Sequence, residues 1–214
     1  MNIKTFVFNP FYENTYIISD SEGRAIIVDP GCYENYEKEV LSGYIDDLKL
    51  ELQGIYNTHC HIDHVLGNSF LKEKYNLDLY IPPGESQMLT AVEAYANQWG
   101  IDHYVPCKED HHISSETLSF GNLSFQVLNA PGPSPGHQIF YSSEHRILIG
   151  GDVIFKESIG RTDLPGGDHQ QLLSSIRTQI FTLPEETTIY PGHGPVTTVG
   201  HEIAHNPFLK IPNH

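Results

Sequence analysis

Residues 58–64 read Thr58-His59-Cys60-His61-Ile62-Asp63-His64. Imidazole and carboxylate side chains are ligands that borderline divalent metals such as zinc prefer. If a strand runs into a tight turn here, alternate side chains point to the same side. His59 and His61 would then face one metal ion, while Asp63 and His64, just past the turn, could face a second. The segment therefore predicts a metal site and, with it, hydrolytic chemistry.

Patterns on both sides of this segment predict alternating strands and helices. Short β-rich runs between turn residues predict strands at residues 5–8, 15–19, 25–28, 52–57, 79–81, 117–120, 123–128, 139–141, 146–149 and 188–190. Apolar residues at helical spacing predict helices over residues 33–48, 67–75, 85–99 and 169–180. Strand-rich halves with helices between them predict two packed sheets with helices outside.

The overall composition is acidic. Asp and Glu number 27 against 12 Lys and Arg, which gives a formal net charge of −15. A nucleic-acid surface needs clustered Lys and Arg, so we expect no nucleic-acid partner. Some of the carboxylates must lie at the predicted metal site, where bound cations would offset their charge.

The start of the chain and its cysteines predict where the protein works. Residues 1–6 have no long apolar stretch after a basic start, which predicts no signal peptide. No window approaches the roughly 20 apolar residues that cross a bilayer, so we expect no membrane contact. Cys32, Cys60 and Cys107 form no CxxC pair and cannot all be bridged, which favours a reducing cytoplasm.

Three later segments place glycine near a further candidate ligand, just after an apolar strand. They are Gly150-Gly151-Asp152, Gly192-His193-Gly194 and Pro131-Gly132-Pro133-Ser134-Pro135-Gly136-His137. Glycine at such positions indicates that the backbone passes close to another group. A carboxylate at Asp152 can bridge two cations, and His193 can complete the ligands of one.

Together, residues 58–64, 151–152 and 192–194 resemble the motifs of the metallo-β-lactamase superfamily in order and roughly in spacing. Within it, residues 160–168 make the chain most similar to the glyoxalase II group, the hydroxyacylglutathione hydrolases. The resemblance covers essentially the whole chain and implies an α/β fold, the four-layer αββα sandwich, with two metals at one edge of the sheets. It also implies a single domain over residues 1–214, without the helical C-terminal domain that full-length glyoxalase II proteins add for glutathione binding.

The resemblance assigns a metal-binding role to six residues. The first metal would be bound by His59 and His61, the second by Asp63, His64 and His193, and both by Asp152. We expect two zinc ions, with iron or manganese as other candidates.

The clearest departure from the family is at Pro133. The family supplies one more first-site ligand from a Pro-Gly-His motif, and this chain has proline at the histidine position. Three outcomes stay open: a weakened first site completed by water, a loop shift that brings His137 to the metal, or a single ion at the second site. We expect the first outcome, with His137 beside the ligands and not among them.

This ligand set predicts hydrolysis by a metal-bound water. Two cations roughly 3.5–4 Å apart lower the pKa of such a water towards about 7, and Asp63 would orient it. The resemblance implies a small thioester or ester as substrate and leaves the thiol open. One alternative is a persulfide dioxygenase-like iron oxidoreductase, a group that depends on the histidine replaced by Pro133. Another is a degenerate metal-binding module with weak hydrolase activity.

Other polar residues have less specific interpretations. Arg161 and Asp163 could contact substrate or could pair to brace their loop. His111 and His112 are expected on a solvated loop, and Cys60 should point away from the metals into the core. The sequence does not predict the oligomeric state.

Overall fold

Residues 1–209, which the computed structural model describes, form two six-stranded sheets, a two-stranded ribbon and five α-helices. The single domain predicted over residues 1–214 ends in residues 210–214, which lie outside the described range. Across the first sheet the strands run β1 (Asn2–Phe8), β2 (Glu13–Ser19), β3 (Arg24–Val28), β4 (Glu51–Tyr56), β5 (Leu79–Ile81) and β6 (His111–His112).

The first sheet changes from antiparallel to parallel at β3. Strands β1 to β3 are antiparallel, whereas β3 to β6 are parallel neighbours. Each parallel step needs a crossover, because the chain must return to the same end of the sheet. The crossovers contain the helices α1 (Asn35–Asp47), α2 (Asn68–Tyr75) and α3 (Ser86–Tyr95).

The second sheet is built from the remainder of the described chain. Its strands run β7 (Thr117–Phe120), β8 (Leu123–Asn129), β9 (Gln138–Ser142), β10 (Ile147–Gly151), β13 (Thr188–Pro191) and β14 (Thr197–Thr198). The ribbon consists of β11 (Ile154–Phe155) and β12 (Ser158–Ile159), and the helices are α4 (His169–Ser175) and α5 (Val199–His205). Only β10 and β13 pair in parallel within this sheet, and the chain between them contains the ribbon and α4.

Alternation along the central strands explains the layers. Ile17 and Ile27 belong to a core between the first sheet and helices α1 to α3. Ile18 and Ile26 point to the opposite face and join a core between the two sheets. A third core packs α4 and α5 on the second sheet. A strand whose two faces are both buried reads as a nearly continuous apolar run, as here. The layers are therefore helix, sheet, sheet and helix, and the predicted four-layer αββα sandwich is confirmed.

Carboxyl ends of strands from both sheets meet at one edge. Backbone hydrogen bonds join the segments there, from Gly192 N to Gly151 O at 2.7 Å and from Gln138 N to Thr58 O at 2.9 Å. Glycine is required because the approach is close. A β-carbon on Gly192 would overlap the Asp152 carboxylate, and one on Gly151 would lie 2.5 Å from Thr58 Oγ1.

Several boundaries differ from those expected. The helix predicted over residues 85–99 ends at Tyr95 and continues as a 3₁₀ turn over Ala96–Trp99, which Gly100 terminates in a left-handed conformation. The helix predicted over residues 169–180 becomes a π-helix from residue 176, with Phe181 N donating to Ile176 O at 2.9 Å. No helix within residues 1–209 has the length and apolar character to cross a membrane.

The expectation of a solvated loop at His111 and His112 is wrong in one respect. Both side chains are exposed, but the backbone forms β6, the edge strand paired with β5. Two polar residues lack the apolar alternation that predicts a strand, so only tertiary pairing specifies this element.

Candidate metal centre

Three chain segments deliver six candidate ligands to the shared edge of the sheets. The loop after β4 carries His59 and His61, and the 3₁₀ turn Ile62–His64 that follows carries the next two, Asp63 and His64. The end of β10 leads directly into Asp152, and the end of β13 leads through Gly192 into His193. A strand end places its ligand at the rim of a sheet, where several strands can converge on one point.

The first ligand cluster consists of His59, His61 and Asp152. His59 Nε2 lies 3.0 Å from His61 Nδ1 and 3.8 Å from Asp152 Oδ2. The donor atoms of all three residues lie within 4.8 Å of one another, which is a spacing that one divalent cation can bridge.

The second ligand cluster consists of Asp63, His64 and His193. Asp63 Oδ2 lies 3.0 Å from His193 Nε2 and 3.7 Å from His64 Nε2. These donors also lie within 4.8 Å of one another.

Asp152 joins the two clusters. One of its oxygens, Oδ1, lies 3.3 Å from His64 Nε2, and the other faces His59 and, at 3.7 Å, His193. His64 Nε2 and Asp152 Oδ1 are buried without a partner in hydrogen-bond geometry among the described residues. Buried polar atoms are rarely left unpaired, so this convergence of imidazole and carboxylate fits bound divalent metal.

A second set of contacts holds the histidine rings. Thr58 Oγ1 donates to Asp29 Oδ2 at 2.6 Å and lies 3.0 Å from His59 Nδ1. The same Asp29 oxygen lies 3.2 Å from His64 Nδ1, and His193 Nδ1 lies 3.1 Å from the carbonyl oxygen of Phe11. The outward nitrogens of His59 and His193 are therefore engaged, as is usual for metal-binding histidines. His64 Nδ1 faces Asp29 but is outside hydrogen-bond geometry.

Burial and neighbouring charged groups shift the pKa values of the site residues in opposite directions. Burial lowers the pKa of His59 well below its ordinary value, and His64 lowers it further. Burial alone would lower the pKa of His64, but the carboxylates of Asp152 and Asp63 raise it well above the ordinary value. Burial would likewise raise the pKa of Asp152, but the neighbouring His64 brings it below that of a free aspartate. The carboxylates thus draw positive charge to His64, and a divalent cation can replace that proton.

Pro133 and His137 belong to the same loop, over residues 131–137, but have different surroundings. Pro133 is buried against the chain near Gly160. His137 is fully buried, stacks on His59 with ring centroids 4.6 Å apart, and accepts at Nε2 from the backbone N–H of Asp152 at 3.0 Å. Burial lowers the pKa of His137 to about 3, which keeps the ring neutral and able to accept. His137 therefore positions Asp152 through its backbone, and its Nε2 is engaged there.

Asp29 and Glu85 are acidic residues near the centre that were not predicted. Asp29 follows β3 at the same sheet edge as His59, and an aspartate directly after an apolar strand was a usable signal. Glu85 is fully buried and accepts from the backbone N–H groups of Cys60 at 2.9 Å and Gly136 at 2.8 Å. It thus ties the segment between His59 and His61 to the loop over residues 131–137, and nothing in its sequence context indicates this.

The centre opens into a cavity of about 890 Å³. His61, Asp63, Asp152 and His193 line its floor, and Arg161 lies in its wall. Arg161 donates to the Asp163 carboxylate twice, from Nε and from Nη2, each at 2.8 Å. Asp163 is thus engaged in bracing the loop, whereas Arg161 both braces it and faces the cavity.

Comparisons with known proteins agree with this geometry. The sequence model of the metallo-beta-lactamase superfamily matches residues 8–193. Hydroxyacylglutathione hydrolase GloC of Haemophilus influenzae is 36% identical, over 98% of this chain and 99% of its own length. The crystal structure of BLEG-1 B3 metallo-beta-lactamase matches with a TM-score of 0.89 and 34% identity, over 97% of this chain and 99% of that chain. That of TTHA1623 in a di-iron-bound form matches with a TM-score of 0.85 and 34% identity, over 98% and 100%.

Proposed function

The chain belongs to the metallo-β-lactamase superfamily, and we propose that it is a metal-dependent hydrolase of small thioesters, of the hydroxyacylglutathione hydrolase type. The observation that carries this proposal is the pair of ligand clusters that share Asp152 on the floor of an open cavity. The relative in Haemophilus influenzae, named a hydroxyacylglutathione hydrolase, supports the thioester as substrate class.

We propose zinc at both clusters, with iron or manganese as substitutes. Imidazole and carboxylate suit all three metals, and the related structure in a di-iron-bound form supports iron as a substitute. The first cluster offers His59, His61 and Asp152, whereas Pro133 provides no donor. Its metal should therefore be bound more weakly than that held by Asp63, His64 and His193.

The catalytic roles follow from position. Bound metal ions supply a water of lowered pKa and polarise the carbonyl group. Asp63 faces the cavity beside His193 and can orient the attacking water while accepting one of its hydrogen bonds. The thiolate that departs is a weak base, so its release needs no strong acid. Arg161, the one Lys or Arg in the described cavity lining, can hold a polar end of the substrate.

We place this reaction in the cytoplasm. Cys32, Cys60 and Cys107 are free thiols, and the first two are buried. Free cysteines are typical of proteins from reducing compartments.

A thiol-release assay on zinc-loaded protein with a hydroxyacyl-glutathione thioester tests the proposal. We expect turnover by the wild type and its loss in His61→Ala. The matched control is His111→Ala, which removes an exposed histidine from the edge strand and should retain the wild-type rate. Oxygen uptake with a persulfide on iron-loaded protein, without thioester turnover, would instead favour the oxidoreductase. Metal binding without either activity would favour the degenerate module.

A further inference from the structure

The wall of the cavity above the metal centre is mainly apolar. Six large side chains that contribute to it are Phe11, Met88, Tyr95, Trp99, Ile159 and Leu164. A volume of about 890 Å³ is in the range of cavities that enclose a small organic molecule. None of these six side chains binds metal or activates water, so the wall is available to the non-reacting part of the substrate.

We propose that the substrate carries an apolar acyl group, aliphatic or aryl, that packs against this wall; the proposal rests on the thioester hydrolase function above. The attacking water forms a bond from its oxygen to the carbonyl carbon. The C–S bond then breaks with its electron pair on sulfur, and the proton lost by water returns to the thiolate. The products are an apolar carboxylic acid and a free thiol.

Charge argues for an apolar group and against a strongly anionic one. Arg161 is the one Lys or Arg among the described lining residues, and both of its bonded nitrogens already face the Asp163 carboxylate. The whole chain has a formal net charge of −15, and the carboxylates of Asp63 and Asp152 would be offset by the bound metal ions. An acyl group with a carboxylate of its own would meet little free positive charge on this wall.

Trp99 shows that apolar surface is left uncovered at the cavity. Its side chain is 42% exposed although it lies 6.0 Å, between ring centroids, from Phe11. The guanidinium of Arg161 lies over the Trp99 ring at 6.0 Å, on the same wall. When a ligand covers a large exposed aromatic ring at the border of a cavity, the removal of that ring from water favours binding.

Hydrolysis of a homologous series tests the acyl group. Acetyl, butanoyl, hexanoyl and octanoyl thioesters of the neutral thiol N-acetylcysteamine differ only in chain length. We expect kcat/KM to rise about fourfold per methylene, the gain for burying one such group, until the wall is covered. A flat or falling series would overturn the proposal.

Two substitutions on α3 provide a matched pair. Ala91 lines the cavity, whereas Ala94 lies on the same helix outside it, and both are exposed enough to tolerate a charge. Ala91→Asp should lower the octanoyl-to-acetyl ratio of kcat/KM by about tenfold or more, the value of two buried methylenes. Ala94→Asp should keep the wild-type ratio, and an equal fall in both variants would contradict the assignment.

Fluorescence of Trp99, the single tryptophan in the sequence, reports on the cavity without turnover. Octanoate should change its emission saturably, and acetate, which has no methylene group to bury, should not. If no thioester is hydrolysed but octanoate binds, the proposed function fails and the apolar site stands. If thioesters are hydrolysed with a flat series and octanoate leaves the emission unchanged, the function stands and the apolar site fails.

Discussion

Replacing Asp29 by asparagine tests whether the outer contacts prepare the metal ligands. Thr58 Oγ1 donates its proton to Asp29 Oδ2 at 2.6 Å, so it can only accept at 3.0 Å from His59 Nδ1–H. This fixes the tautomer in which His59 Nε2 carries a lone pair towards the first cluster. Because the pKa of His59 is lowered by burial, the ring is neutral and the tautomer decides whether it can bind metal.

An amide in place of the carboxylate must present one N–H₂ group to this network. If the new N–H₂ group faces Thr58 Oγ1, it donates to this hydroxyl. The hydroxyl then donates its own proton to His59 Nδ1, so the ring proton of His59 has to move to Nε2. If the amide is turned, its N–H₂ group faces the backbone N–H of Thr58. In the wild type this N–H donates to Asp29 Oδ1 at 2.7 Å. That arrangement leaves a buried donor unpaired, at a cost of about 1–3 kcal/mol.

Asp29→Asn should therefore weaken metal binding by about 10–100-fold, the usual effect of losing an outer contact to a metal-binding histidine. Competition with a chromophoric zinc chelator measures the affinity directly. Asp47→Asn, at the exposed end of α1, is the control that makes the same chemical change away from the centre. Wild-type zinc affinity in Asp29→Asn would refute the tautomer argument.

Three further predictions concern the loops and the thiols. Glu85→Ala should lower the free energy of unfolding by about 2–4 kcal/mol in a urea titration, because the N–H groups of Cys60 and Gly136 lose their acceptor; wild-type stability would show that water replaces it. Pro133→His should tighten zinc binding at the first cluster in a chelator competition, and an unchanged affinity would mean that another group already occupies the fourth position. Burial raises the pKa of Cys107 to about 11, so its labelling rate should keep rising about tenfold per pH unit from pH 8 to 10; a plateau near pH 8.5 would contradict the raised pKa.

Elements with local apolar patterns were predictable from the sequence. The strands at residues 79–81 and 117–120 have the bounds expected for them, because each alternates or is apolar between clear turn residues. The segments that depend on tertiary contacts were not predicted. The edge strand at His111 and His112 is exposed and polar, and α5 has only seven residues and no long apolar face.

The candidate ligands were predictable because chemistry and chain position coincide in them. His59, His61, Asp152 and His193 all follow strands that end at one edge, and the fold gathers their donor atoms into two clusters that could each hold an ion. The roles of Glu85 and His137 could not be read in the same way. Their hydrogen bonds run to backbone groups that are distant in sequence, so only the packed structure shows what they hold in place.

Anomalous diffraction at the zinc edge, from crystals of the metal-loaded protein, locates the bound ions themselves. We predict one peak among Asp63, His64 and His193 and a second, of equal or lower occupancy, among His59, His61 and Asp152. Metal bound elsewhere on the chain, or no peak beside Asp152, would contradict it.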